Sequence, residues 1–259
     1  MQNRCYFFLL LFSCMAIGRA KAQNETFLTQ GNITYEKTVN SLALIQERWG
    51  NDDDGWSQQL LDAYKKSGYK FTKTQFNLAF SNGKTLYTPV IDDAPSGGIN
   101  DFNSTAKDNT VYSDLQKQQS VSLKNVFEEH FLITDTTRQI QWKITDELRD
   151  IAGFPCRRAN AVIMDSVYVV AFFTDAIITP GGPESFNGLP GMILGVALPH
   201  EHTTWFATKV SVAPRVPEMS LKPPTKGKPY NNKDYFNLLQ GRLKSWGKEG
   251  AVIVQNAML

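Results

Sequence analysis

Cysteine is scarce in this chain. Of its three cysteines, Cys5 and Cys14 fall within the first 22 residues. A chain that loses that segment keeps Cys156 alone and forms no internal disulfide. An excess of one charge is also missing. Residues 1–22 hold Arg4, Arg19 and Lys21 and no acid, so the 27 basic and 25 acidic residues become 24 and 25 beyond Ala22, a net charge of −1. The Lys-rich stretch 222–228 is broken by prolines and reads as a solvated loop. Dispersed, near-neutral charge excludes the electrostatic footprint of a nucleic-acid-binding protein. No apolar run reaches the roughly 20 residues that a membrane-spanning helix needs. The chain contains no G-x-S-x-G elbow, Walker loop, G-x-G-x-x-G or C-x-x-C. No residue is therefore nominated as catalytic, and no cofactor is implied.

What is present begins at the N-terminus. Arg4 precedes a dense apolar run over residues 6–17, and Ala20-Lys21-Ala22 offers small residues at the positions a signal peptidase reads. A charged start, an apolar stretch of about a dozen residues and an A-x-A site predict a secretory signal peptide over 1–22, cleaved after Ala22. Lipidation at Cys14 is disfavoured because bulky Phe12 spoils the preceding sequence. Residues 23–259 are then expected to form one domain held together by its core.

Period-two alternation dominates that domain. Ile33, Tyr35, Lys37 and Val39 alternate in a first strand. Phe76, Leu78 and Phe80 lead through Asn82-Gly83 into residues 84–87, the strongest short hairpin signal. Trp56, Leu60, Leu61 and Tyr64 recur at helical spacing and predict a helix over 55–67, capped by the acids of 51–55. Residues 91–110, rich in Asp, Asn, Ser and Gly, read as a loop. Further strands are expected at 111–115, 125–133, 138–144, 159–164 and 167–173, with a turn at Asp165-Ser166. A hairpin at 192–198 and 205–212 turns around His200. The proline-rich stretch 214–229 is expected to end the sheet. A helix over 231–247 and a last strand at Val252-Ile253-Val254 complete the reading. The expected fold is α+β: a mainly antiparallel sheet, curved or half-barrel, with one helix in the N-terminal half and one at the C-terminal end.

The central block carries a resemblance. Residues 186–194 read Phe-Asn-Gly-Leu-Pro-Gly-Met-Ile-Leu. Upstream lie Trp142-Lys143-Ile144, then Ile151-Ala152-Gly153-Phe154-Pro155-Cys156 with Ala159, then residues 171–177, and Gly182-Pro183. Together these resemble the GLPGLI family of exported Bacteroidota proteins, with Met192 where the family name has Leu and Phe172 and Phe173 where its pattern has Trp and Tyr. The resemblance implies an exported protein of the periplasm or outer membrane and carries over no catalytic residue.

Within the motif Gly188-Leu189-Pro190-Gly191, Pro190 suits position i+1 of a turn and Gly191 the positive φ of type II at i+2, with Leu189 plugging the core. The alternative is a rigid lip on a binding groove. His200 and His202, with His130 or Cys156, are the candidate zinc or copper ligands; the other reading of His200-Glu201-His202 is an exposed hairpin tip. Thr204 stands where H-E-x-x-H needs its second His, which excludes that metalloprotease spacing. Cys156 beside Arg157 and Arg158 is either an activated thiol or a buried structural one. Two functions follow as expectations: a non-enzymatic envelope module that binds a hydrophobic ligand or docks on a partner such as an outer-membrane transporter, or a metal-binding protein.

Overall fold

The computed structural model describes residues 27–50, 55–68, 70–90, 108–212 and 221–259. The expected signal peptide 1–22, the expected capping acids 52–54, most of the expected 91–110 loop and the start of the proline-rich stretch lie outside these residues.

Among the described residues, twelve strands form one open sheet. They are β1 (Gln30–Val39), β2 (Thr72–Ser81), β3 (Lys84–Pro89), β4 (Thr110–Asp114), β5 (Gln119–Val126), β6 (Glu129–Thr136), β7 (Lys143–Ile151), β8 (Phe154–Ile163), β9 (Val167–Thr174), β10 (Met192–Leu198), β11 (Thr203–Val212) and β12 (Lys228–Tyr230). The spatial order is β12-β6-β5-β4-β3-β2-β1-β11-β10-β9-β8-β7. Two runs of meander are thus joined where β1 pairs with both β2 and β11. The expected α+β class and the mainly antiparallel, curved sheet are what the structure shows.

Sequence alternation sets the register. Ile33, Tyr35, Lys37 and Val39 form one buried row of β1, and Phe76, Leu78 and Phe80 continue it across β2. A one-residue slip would expose the whole row. The Asn82-Gly83 hairpin forms with both residues at positive φ. The turn between β8 and β9 sits one residue earlier than expected, with Met164 and Asp165 at positive φ. The segment read as one strand at 125–133 is the β5–β6 hairpin, turned at Phe127, because alternation alone does not reveal a chain reversal without glycine. Residues 138–142 are not strand; β7 starts at Lys143 and is an almost wholly exposed edge bearing Asp146, Glu147, Arg149 and Asp150. Such charges guard an edge against pairing with another chain.

The proline-rich stretch does not end the sheet. It leads to β12, which adds to β6 in parallel. Pro229 is tolerated there because an edge strand need not donate on its outer side.

Four α-helices lie among the described residues. α1 (Ser41–Trp49) was not anticipated; the Asn40 side chain caps it by accepting from Ala43 N at 3.1 Å, and it buries Leu44 and Ile45. α2 (Gly55–Ser67) is the expected one, and its Leu61 and Tyr64 pack on Ile45. α3 (Asn232–Leu243) is followed by a turn of 3-10 helix over Lys244–Trp246 and by α4 (Gly247–Met258). Val252-Ile253-Val254, expected as a strand, is inside α4. Its burial of Gly250, Val254 and Ala257 follows helical spacing against β5, β6 and α3, and that packing overrides local β-propensity. No helix of the described residues is long and apolar enough to cross a membrane.

Candidate functional site

The large core gathers buried residues of β1–β4 and β7–β11. Across it runs the segment between β9 and β10, which contributes Ile177, Phe186 and Leu189. Backbone bonds fix the segment: Gly188 N donates to Pro180 O at 3.1 Å, Met192 N to Ile177 O at 3.0 Å and Ile193 N to Gly181 O at 2.8 Å. Trp142 Nε1 donates to Asn187 O, and Tyr35 Oη to Ile193 O at 2.6 Å.

The Gly-Leu-Pro-Gly turn differs from its expected geometry. Gly191 N donates back to Leu189 O at 2.7 Å, closing a three-residue turn around Pro190. Both glycines take a positive φ, Gly188 at +90° and Gly191 at +156°. Gly191 is needed for a second reason: a Cβ there would lie 2.1 Å from the carbonyl oxygen of Thr174. Leu189 plugs the core at 2 % exposure, while Gly188 and Pro190 face solvent.

The same segment carries an ionisable group into the interior. Glu184 is buried at positive φ, and its Oε2 accepts from Asn109 Nδ2 at 3.0 Å. Glu184 Oε1 and Asn109 Oδ1 have no hydrogen-bond partner among the described residues. Two lysines balance the carboxylate. Lys37 is buried in the β1 row with its Nζ 5.1 Å from the centre of the Trp205 ring. Lys124 is buried in β5 and donates to Ala257 O at 2.8 Å. Burial pushes the Glu184 carboxyl up, and Lys37 pulls it partly back. Burial likewise pushes Lys37 down and Lys124 down to about 8. The cavity beside this cluster, lined by Lys37, Arg48, Glu184 and Trp205, has a volume of about 20 Å³. That is room for about one water and for no organic ligand.

A larger opening lies at the other end of Lys124's helix contact. About 580 Å³ is open between α3, α4 and the β8–β9 turn. Phe236, Leu243, Val254, Met258 and Met164 give it apolar walls; Arg138 and Lys244 stand at it with one acid, Asp165. This volume falls within the range of small-molecule pockets. The sequence reading missed it because it took residues 252–254 for a strand and so had no second helix to form a wall.

The predicted ligands are dispersed. His130 is exposed on β6, with its Nδ1 against Asn125 Oδ1. His200 is exposed in a 3-10 turn (Pro199–Glu201) at the β10–β11 tip, with five strands between β6 and β11 in the sheet order. His202 follows it at positive φ and bonds Glu47 Oε2 of α1 through Nε2 at 2.8 Å. Cys156 is fully buried in β8, its Sγ donates to Phe154 O, and burial pushes the thiol up to about 12. The flanking arginines therefore do not activate it. No group of three or more His, Cys, Asp or Glu able to hold a metal occurs among the described residues.

No family model matches the chain, and no curated protein matches it. Solved structures do. PNGF-II, in two space groups, is similar at a TM-score of 0.51 with 14 % and 13 % identity, over 81 % of this chain and 33 % and 32 % of that one. This chain thus spans about a third of PNGF-II, and the likeness is one of fold. An uncharacterized conserved protein from Thermus thermophilus is similar at a TM-score of 0.39 and 5 % identity, over 80 % of this chain and 93 % of that one.

Proposed function

We propose that this chain is an exported bacterial envelope protein of the GLPGLI kind that binds an apolar ligand without transforming it. The observation that carries the reading is the groove of about 580 Å³ walled by Phe236, Leu243, Val254 and Met258. An apolar wall left open to water is costly at roughly 25 cal/mol per Å², and a ligand that covers it gains that free energy. Export rests on the charged start, apolar run and Ala20-Lys21-Ala22 site, and family kinship on the block from Trp142 to Leu194. The dispersal of His130, Cys156, His200 and His202 gives the metal reading no support.

The test uses residues 23–259, stripped of lipid, and the neutral fluorescent dye N-phenyl-1-naphthylamine. Ala251 is exposed on the groove wall, so Ala251→Trp fills the groove without entering the core. Saturable dye binding by the parent chain, lost in Ala251→Trp, is the expected result. Equal binding by both, or none by either, would sink the apolar-ligand reading.

A further inference from the structure

The charges at the groove are unequal. Arg138 and Lys244 line it with Asp165 as the one acid. Arg138 is half-buried and fixed in place: its Nε donates to Ser185 Oγ at 3.0 Å, and its Nη2 to the backbone oxygen of Met258. Both acceptors are neutral. A guanidinium carries five N–H donors, so three remain, two on Nη1 and one on Nη2. Burial displaces the group's pKa downward, and among the described residues no carboxylate side chain opposes that. Lys124 is close enough for the two cations to oppose each other, although Glu184 acts on Lys124 more strongly than Arg138 does. A partly buried cation without an anionic partner is unfavourable, and a carboxylate beside it would accept two parallel N–H bonds.

The hydrophobic side of the groove begins where this charge ends. Met258, whose backbone oxygen holds Arg138, also lines the groove, and Val254 stands one turn back along α4. Lys244 is exposed in the short turn between α3 and α4. A ligand seated between the helices thus meets a fixed guanidinium, a flexible ammonium and an apolar floor. Neutral hydrocarbons use only the floor.

We propose that the groove is a binding site for a single-chain amphiphile with a carboxylate head, a long-chain fatty acid, whose head is held by Arg138 and Lys244 and whose chain lies against Phe236, Leu243, Val254 and Met258. The assignment rests on the apolar-ligand reading above and adds the head-group chemistry. It also gives Ser185 and the backbone of Met258 a role, as the groups that orient Arg138 towards the groove.

The test is displacement of N-phenyl-1-naphthylamine from lipid-stripped residues 23–259 by dodecanoate and, in parallel, by 1-dodecanol. Dodecanoate is expected to bind at least tenfold more tightly than dodecanol. Arg138→Gln is expected to weaken dodecanoate about tenfold and to leave dodecanol within twofold. Because Arg138 also holds the backbone of Met258, Lys244→Glu is the second variant. It lies in an exposed turn and is expected to weaken dodecanoate several-fold with an unchanged melting temperature. Equal affinity for the acid and the alcohol, or dodecanoate binding indifferent to both substitutions, would overturn the head-group assignment while leaving the groove reading intact. Dodecyl phosphate binding tenfold more tightly than dodecanoate would replace the carboxylate with a phosphate. Failure of the dye itself to bind would overturn both readings.

Discussion

The two halves of this sheet are covered in opposite ways. Over β8–β11, the segment from Ile177 to Gly191 lies flat on the core, tied by its own backbone and shut by Leu189. Over β5 and β6, α3 and α4 pack through Tyr235, Leu239, Leu243, Val254 and Ala257 and leave a groove beside them. The first cover allows no slack, because backbone approaches backbone at Gly191. The second touches through side chains at helical spacing, and a cylinder laid on a sheet leaves space along its flank. The rigid half thus serves as a scaffold, and the looser half has room for a ligand.

The sharpest way to break this contrast is Gly191→Val. The added Cβ would lie 2.1 Å from Thr174 O, so β9 and β10 must part. A loss of about 4 kcal/mol or more is expected in urea denaturation, beyond the usual range of a single substitution. Leu189→Ala should come next, at about 3 kcal/mol, as a buried Leu leaves a cavity that a backbone-tied segment cannot close. In the looser half, Phe236→Ala removes a ring already 37 % exposed and should cost less than about 1 kcal/mol in the same assay. Equal losses for Leu189→Ala and Phe236→Ala would remove the distinction between the halves.

Lys124 joins the halves, and its charge makes a pH prediction. Its folded pKa, about 8, lies below the ordinary 10.5. The unfolded chain therefore binds more protons between these values, and stability rises with pH across that window. The stability that Lys124 contributes is present above the unfolded value and lost as pH falls through the folded one. Urea midpoints of the parent chain minus those of Lys124→Met should climb from pH 8 towards pH 10; a flat difference would mean the ammonium is solvated. Smallest of all, His200→Ala and His202→Ala should each change stability by less than about 1 kcal/mol, since an exposed His202–Glu47 contact is worth little.

Legibility in the sequence follows the same division. The alternating rows of β1 and β2 and the Asn82-Gly83 hairpin are readable because burial on one face imposes a period of two, whereas β9 and β10, buried almost throughout, read as continuous apolar runs. Even Lys37 stands in the row with Ile33, Tyr35 and Val39, so its burial is signalled, although a lysine in such a row is easily passed over. The Gly-Leu-Pro-Gly segment announces a turn and a positive φ at Gly191, but the close approach of Gly191 to the Thr174 carbonyl is a contact across strands that the sequence does not show. α1 carries its signal in Asn40 as a cap ahead of Leu44 and Ile45. α4 hides because Val252-Ile253-Val254 favours a strand locally, and its packing partners lie about 120 residues away in β5 and β6. With α4 hidden, the groove and the isolation of Arg138 are hidden too. The histidines stood out by residue type alone, and residue type does not bring side chains together.

The most direct measurement is native mass spectrometry of residues 23–259 purified from the envelope of the host, parent beside Ala251→Trp. The account predicts a parent chain carrying the added mass of one fatty acid, released on acidification, and a variant at its bare mass. A bare parent chain, or the same added mass on the variant, would contradict it.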